Sequence, residues 1–117
     1  MADKEKAMRF NAGKPQLSFI PMELMEDCAR VFQYGAQKYD RDNWKKGDHA
    51  TSLLDSLLRH VAAFQQGEYI DEESGLPHLG HIMCNVIFLT HVACNFPEFL
   101  DIEGLQEAVD DYKLSLL

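Results

Sequence analysis

Apolar residues recur at helical spacing along most of the chain, and this pattern predicts four helices. The four predicted segments are residues 21–39, 52–67, 77–97 and a short one from 101 onward. Pro21 and Pro77 fit the first position of a helix, where the missing N–H of proline costs no hydrogen bond. Ser52 with Asp55 resembles a capping box, and Asp101 suits the cap of the last helix. No alternating run of apolar and polar residues is long enough to predict a strand.

These elements predict an all-α fold, a small four-helix bundle-like domain preceded by an extended N-terminal arm over residues 1–20. A chain of 117 residues is expected to form one domain, residues 1–117, with a core of modest size. Four amphipathic helices in so short a chain leave surplus apolar surface, so we expect a homo-oligomer. Gly35 lies inside the first predicted helix, where glycine costs about 1 kcal/mol relative to alanine. A close helix contact or the approach of a ligand would justify it.

Charge and composition narrow the classes of partner. The formal net charge is −8 at pH 7, which disfavours a nucleic-acid polymer, because neutralising phosphates requires a basic face. No apolar run reaches the roughly 20 residues of a membrane span, and the N-terminus is too polar for a secretory signal peptide. Cys28, Cys84 and Cys94 show no metal-binding spacing and are expected to be buried reduced thiols. We therefore expect a cytoplasmic protein.

Histidines and acidic residues concentrate where the second predicted helix turns into the third. The polar positions of this hairpin are His60, Glu68, Asp71, Glu73, His78, His81 and Asn85. His78 and His81 are three residues apart and share one helix face, and Asn85 continues that face one turn later. If the two helices are antiparallel, His60 reaches the level of this histidine pair. The hairpin can therefore point all of these groups into one crevice.

Converging imidazoles and carboxylates are typical of a divalent metal site. The predicted ligands are His60, Asp71, His78 and His81, with Glu68 or Glu73 assisting. This mixed nitrogen and oxygen set suits Mn²⁺, Fe²⁺, Co²⁺, Ni²⁺ or Zn²⁺ better than Mg²⁺, which prefers oxygen. The alternative is that the histidines are ordinary surface or core groups and the acids form a solvated turn.

A second group of residues is basic, amide-bearing and aromatic. Its members are Arg9, Asn11, Lys14 and Gln16 on the arm, Lys38, Tyr39, Asn43 and Trp44 around the loop after the first helix, and Arg59 beside His60. Cations next to a metal site in so acidic a chain indicate capture of phosphate oxygens. Trp44 or Tyr39 could stack on a base whose edge Asn11 or Gln16 reads. Alternatively, Trp44 packs in the core or an oligomer contact, and Arg59 pairs with Asp55.

Three strings carry a resemblance to a known family: RFNAGKPQLSFIP, YGAQKYDRDNWKKG and SLLRHVAAFQQGEYIDEESGLPHLGHIMCNVIFL. Over about residues 9–95 the chain resembles small phage proteins described as dATP/dGTP diphosphohydrolases of the MazZ type. The resemblance implies hydrolysis of a purine deoxynucleoside triphosphate, chiefly dGTP, to the monophosphate and pyrophosphate. It also implies kinship with the all-α NTP pyrophosphatases, which are metal-dependent helical oligomers.

One departure from those pyrophosphatases concerns the metal ligands. They usually hold Mg²⁺ with an ExxE pair on one helix and ExxD on the next. In this chain HLGH, residues 78–81, stands where an ELGD-like string is expected, and the preceding helix offers His60. Imidazole replaces carboxylate as a softer ligand, so the expected cofactor is a divalent ion, Mn²⁺, Co²⁺ or Mg²⁺, with Zn²⁺ as a further candidate.

The expected mechanism assigns catalysis to Glu68, Glu73 and Arg59. One of the two glutamates accepts the proton of the attacking water, while Arg59 neutralises charge on the leaving pyrophosphate. Substrate binding falls to Arg9, Asn11, Lys14, Gln16, Lys38, Tyr39, Asn43, Trp44 and Asn85. The strongest competing hypothesis is a phage protein that sequesters a nucleotide without cleaving it, and a third is a purely structural helical oligomer.

Overall fold

The computed structural model describes residues 4–117, and the regular elements within that range are helical. The helices are α1 (Glu26–Lys38), α2 (Ala50–Gln65), α3 (His78–Asn95) and α4 (Leu105–Ser115). Short 3-10 turns occur at Leu17–Phe19, Met22–Met25, Asn43–Lys46 and Pro97–Phe99. No strand occurs within residues 4–117, so the all-α prediction is confirmed. No helix in the described range is long and apolar enough to cross a membrane.

The central element is α3, which packs against α1 and α2. One buried cluster joins Cys28 and Val31 of α1 to Cys84 of α3. A second joins Ala50 of α2 and Val92 of α3 to Leu100, with α4 packed alongside. The two clusters lie at different positions along α3, and residues of α1, α2 and α3 enclose a space beside them.

A close approach of backbones brings α1 against α3. A Cβ added at Gly80 would lie 2.8 Å from the carbonyl oxygen of Asp27 and 3.1 Å from Cγ2 of Val31. Any side chain at this position would push the two helices apart. Gly80 therefore sets how closely α1 can pack against α3. The same contact fixes where α1 stands relative to the space beside α2.

The beginnings of α2 and α4 differ from the predictions. α2 begins at Ala50, two residues before Ser52, and the predicted capping box does not form. Asp101 caps α2 rather than α4: the Thr51 backbone N–H donates to Asp101 Oδ1 at 3.0 Å, and the Thr51 hydroxyl donates to Oδ2 at 2.5 Å. α4 instead follows Gly104, whose φ is +80°. The carboxylate serves the helix that lies beside it in space rather than the helix that follows it in sequence.

Other predicted boundaries agree more closely. α3 follows Pro77, and α1 ends at Lys38, with Tyr39 as its cap. Pro21 precedes the 3-10 turn Met22–Met25 rather than α1 itself.

Much apolar surface remains exposed. Residues 4–20 of the predicted arm are exposed throughout, including Phe10 at 84% and Phe19 at 81%. Residues 1–3 of that prediction lie outside the described residues. Cys28 and Cys84 are buried thiols as predicted, whereas Cys94 is exposed, and its prediction as buried was wrong.

Candidate active site

The turn between α2 and α3 is closed by backbone hydrogen bonds. Ile70 and Pro77 form an isolated antiparallel bridge, in which Asp71 N–H donates to Leu76 O at 2.8 Å. His78 N–H donates to Tyr69 O at 2.9 Å. These bonds pin the acidic turn against the first turn of α3, so that its carboxylates face the histidines of both helices.

His60, Asp71 and His78 bring their ligand atoms together. One such atom from each residue lies within 4.8 Å of the others, and His60 Nδ1 is 2.8 Å from His78 Nδ1. Two nitrogen ligands held about 2.1 Å from one ion at right angles lie about 3 Å apart, so the pair fits a shared metal. This group matches three of the four predicted ligands.

Glu68 orients the buried His78. Its Oε2 lies 3.0 Å from His78 Nε2 and, as a carboxylate, can only accept a hydrogen bond. His78 therefore carries its proton on Nε2 and presents a lone pair at Nδ1, toward His60. A carboxylate behind a ligating histidine is a common feature of metal sites, because it fixes the tautomer and raises the basicity of the ring.

His81 lies beside this group. Its ring stacks on that of His60 with centroids 4.3 Å apart and planes 5° from parallel. Its Nε2 is 2.7 Å from the Ser74 hydroxyl and 3.6 Å from Asp71 Oδ2. In this arrangement His81 contacts Ser74 instead of sharing the group of three ligand atoms.

Ser74 was not among the predicted site residues. Its backbone N–H and its hydroxyl lie 3.0 and 2.8 Å from Asp71 Oδ2, and the same hydroxyl contacts His81. Ser74 thus links the turn carboxylate to α3. The spacing of Asp71 and Ser74, three residues apart in a turn, is a sequence feature that could have indicated it.

Burial and hydrogen bonding set the charge of these groups. Burial lowers the pKa of His60, and the neighbouring His81 lowers it further. Burial likewise lowers the pKa of His81, although Asp71 partly opposes it. Burial alone would raise the pKa of Asp71, but the hydrogen bonds from Ser74, together with the neighbouring His81 and His60, outweigh burial and lower the pKa. The two imidazoles are therefore neutral and the carboxylate charged near pH 7, which are the forms that bind metal.

A cavity of about 470 Å³ opens between α1, the 43–46 turn, α2 and α3. Nine of the predicted residues line it: Lys38, Tyr39, Asn43, Trp44, His60, Asp71, Glu73, His81 and Asn85. Its size lies within the range of small-molecule sites. The histidines and acids form one side, and the end of α1 with the 43–46 turn forms the other.

The comparisons with known proteins agree with the sequence resemblance. The N-terminal family of dATP/dGTP diphosphohydrolases matches residues 4–102. The chain belongs to this family. A dATP/dGTP diphosphohydrolase of Salmonella phage PMBT28 is 37% identical over 90 residues, which cover 77% of this chain and 31% of that relative. The chain thus spans about a third of that relative's length. No solved structure matches this chain significantly.

The segment matched by the dATP/dGTP diphosphohydrolase family contains every predicted site residue, but not all of them line the cavity. Glu68 and His78 do not line it and contact each other instead. Arg59 is exposed on α2 and, within residues 4–117, forms no ion pair with Asp55. Arg9, Asn11, Lys14 and Gln16 are exposed on the arm and do not line the cavity.

Trp44 is held by an aromatic cluster as well as lining the cavity of this diphosphohydrolase-family chain. Its ring centroid lies 5.4 Å from Phe32, 5.6 Å from Phe88 and 5.0 Å from His91. His91 Nε2 donates to the Lys45 carbonyl at 2.9 Å and so anchors the turn that carries the tryptophan. Trp44 therefore packs against the core, as the alternative interpretation expected, and also lines the cavity.

Lys38 and Glu73 connect α1 to the acidic turn at the cavity. Lys38 Nζ donates to Glu73 Oε1 at 3.3 Å, and this hydrogen bond raises the pKa of Lys38. Both side chains are exposed, so the pair is easily opened by an anionic ligand.

Proposed function

We propose that the chain hydrolyses a purine deoxynucleoside triphosphate, chiefly dGTP, to the monophosphate and pyrophosphate in phage nucleotide metabolism. The supporting observation is the group formed by His60, Asp71 and His78 beside a cavity of about 470 Å³. Membership of the dATP/dGTP diphosphohydrolase family supports the same reaction, although the phage relative with this activity in its name is a longer protein.

A divalent ion is the proposed cofactor, with Mn²⁺, Co²⁺ or Mg²⁺ expected and Zn²⁺ as a further candidate. His60, Asp71 and His78 would hold it, and His81 lies close enough to assist. The ion would supply Lewis acidity at the phosphate oxygens and a lowered pKa for bound water. Glu68 acts behind His78 as a positioning residue rather than at the reacting atoms.

Glu73 is the proposed proton acceptor. It lines the cavity, whereas Glu68 is engaged with His78. As water attacks the α-phosphorus, Glu73 takes the water proton while the bond to the bridging oxygen of the β-phosphate breaks. Lys38, released from Glu73 by the substrate, then neutralises charge on the leaving pyrophosphate, and Arg59, exposed on α2 next to His60 in sequence, is proposed to assist.

Tyr39, Asn43, Trp44 and Asn85 are proposed to hold the nucleoside, since all four line the cavity. Arg9, Asn11, Lys14 and Gln16 are proposed to reach the cavity of a second copy, which makes the enzyme a homo-oligomer. Two observations support this. The radius of gyration is 18.3 Å, whereas a compact chain of this length has about 13–14 Å. The arm also exposes large apolar side chains that a second copy would bury.

The test is incubation of the purified protein with a panel of dNTPs and NTPs and Mg²⁺, Mn²⁺ or Co²⁺, with products separated by ion-exchange chromatography. Metal-dependent appearance of dGMP and pyrophosphate is expected. His78→Ala with His81→Ala should abolish both metal content and turnover, and an unchanged double variant would refute the proposed centre. Nucleotides that bind tightly but are recovered intact would instead favour sequestration.

A further inference from the structure

Gly35 differs from the other glycines of the chain in having no evident structural reason to be glycine. Five of the seven have a positive φ, which favours glycine: Gly13, Gly47, Gly67, Gly75 and Gly104. Gly80 is required by the close contact of α3 with α1. Gly35 lies in the interior of α1 with an ordinary helical backbone. A Cβ built there meets nothing within 4 Å among the described residues.

The open space at Gly35 is the cavity itself. Gly35 follows Val31 by four residues and Cys28 by seven, so the three share the face of α1 that is turned to α3. Cys28 and Val31 are buried in the core on that face. Gly35 lies one turn beyond them, where it lines the cavity together with Lys38 and Tyr39. The missing side chain therefore leaves bare helix backbone facing the cavity.

The two sides of the cavity suit different parts of a nucleotide. His60, Asp71 and His81 form a polar side that suits phosphate and metal. Apolar and aromatic groups near Gly35, chiefly Val31, Phe32 and Trp44, form a side that suits a flat base and its sugar. A glycine inside a helix lowers helix stability relative to alanine. The presence of glycine at position 35 is explained if a ligand occupies the space that a methyl group would take.

We propose that Gly35 is a specificity-determining residue, at which the backbone of α1 receives the nucleoside part of the substrate. The inference rests on the proposed function, because it assigns the phosphates of the same ligand to the histidine side. It differs from a structural role in a measurable way. Replacing a glycine that the fold requires lowers the stability of the protein. Replacing Gly35 should instead raise the stability of the protein and weaken substrate binding.

The experiment compares wild type, Gly35→Ala and Gly35→Val, with Gln37→Ala as the matched control. Gln37 is exposed on the same helix and does not line this cavity. Gly35→Ala should unfold at a higher Tm, raise KM for dGTP at least tenfold and leave kcat nearly unchanged. Gly35→Val should raise KM further, and Gln37→Ala should leave KM unchanged. Inhibition by inorganic tripolyphosphate, which has no nucleoside, should be the same in all four proteins.

A KM for dGTP that is unchanged in Gly35→Ala, or a fall in Tm, would overturn the inference while leaving the proposed function intact. The inference would also be overturned if Gly35→Ala weakened inhibition by tripolyphosphate by the same factor as it raised the KM for dGTP, because the added methyl would then disturb the phosphate side. If the wild type binds dGTP without cleaving it, the proposed function fails, and the Kd of dGTP replaces KM in the same comparison. If the wild type neither binds nor cleaves dGTP, both proposals fail.

Discussion

Replacing Glu68 with glutamine tests whether this carboxylate supports a metal ligand. The perturbed contact is the 3.0 Å hydrogen bond between Glu68 Oε2 and His78 Nε2. Glutamine keeps the shape and an acceptor oxygen but removes the negative charge. A hydrogen bond to a charged group contributes about 1.5–3 kcal/mol. Because the Glu68 side chain is 45% exposed, solvent screening places the loss at the lower end, about 1.5 kcal/mol.

That loss corresponds to about a tenfold weaker affinity for metal, the lower limit of the range of about 10–100-fold found for such supporting residues. The assay is titration with Mn²⁺, with free ion followed by electron paramagnetic resonance. Glu72→Gln is the matched control, since Glu72 is exposed in the same turn and the substitution removes the same charge. The explanation fails if the two variants weaken Mn²⁺ binding equally, because the effect would then be one of general charge and not of the hydrogen bond to His78.

Three further predictions concern stability. Val92→Ala should lower the free energy of unfolding by about 2–3 kcal/mol in urea titrations, because Val92 is fully buried and the substitution leaves a cavity. Gly80→Ala should lower the free energy of unfolding by about 1 kcal/mol net, because overpacking against Asp27 costs about 1–3 kcal/mol and the higher helix propensity of alanine offsets about 1 kcal/mol of that cost. A higher free energy of unfolding in this variant would contradict the close contact. Asp101→Asn should lower Tm at neutral pH. The hydrogen bonds from Thr51 lower the folded-state pKa of Asp101, so its stabilisation is present above the ordinary carboxyl pKa and disappears as pH falls through the lowered value. Melting curves of wild type and variant should therefore converge in acid, and a constant difference would refute the reasoning.

Local features of the sequence were enough to predict the helices and the general location of the site. Periodicity alone places His78, His81 and Asn85 on one face of α3, and the proline at 77 marks where that helix begins. The strings around Trp44 and the α2–α3 hairpin were distinctive enough to indicate the family, which the family comparison confirms. These features depend on neighbours within one or two helical turns, which is the range over which sequence spacing reports geometry.

The division of roles within the site depends on contacts between residues distant in sequence. Asp101 caps α2 across 50 residues, and Lys38 meets Glu73 across 35. Glu68 orients His78 while Glu73 lines the cavity, a difference between two acids of one turn that sequence spacing does not reveal. Trp44 is packed by Phe32, Phe88 and His91, and Gly35 faces open space. Such outcomes depend on how closely α1 and α2 approach α3, which is set by side-chain packing over the whole domain rather than by any local pattern.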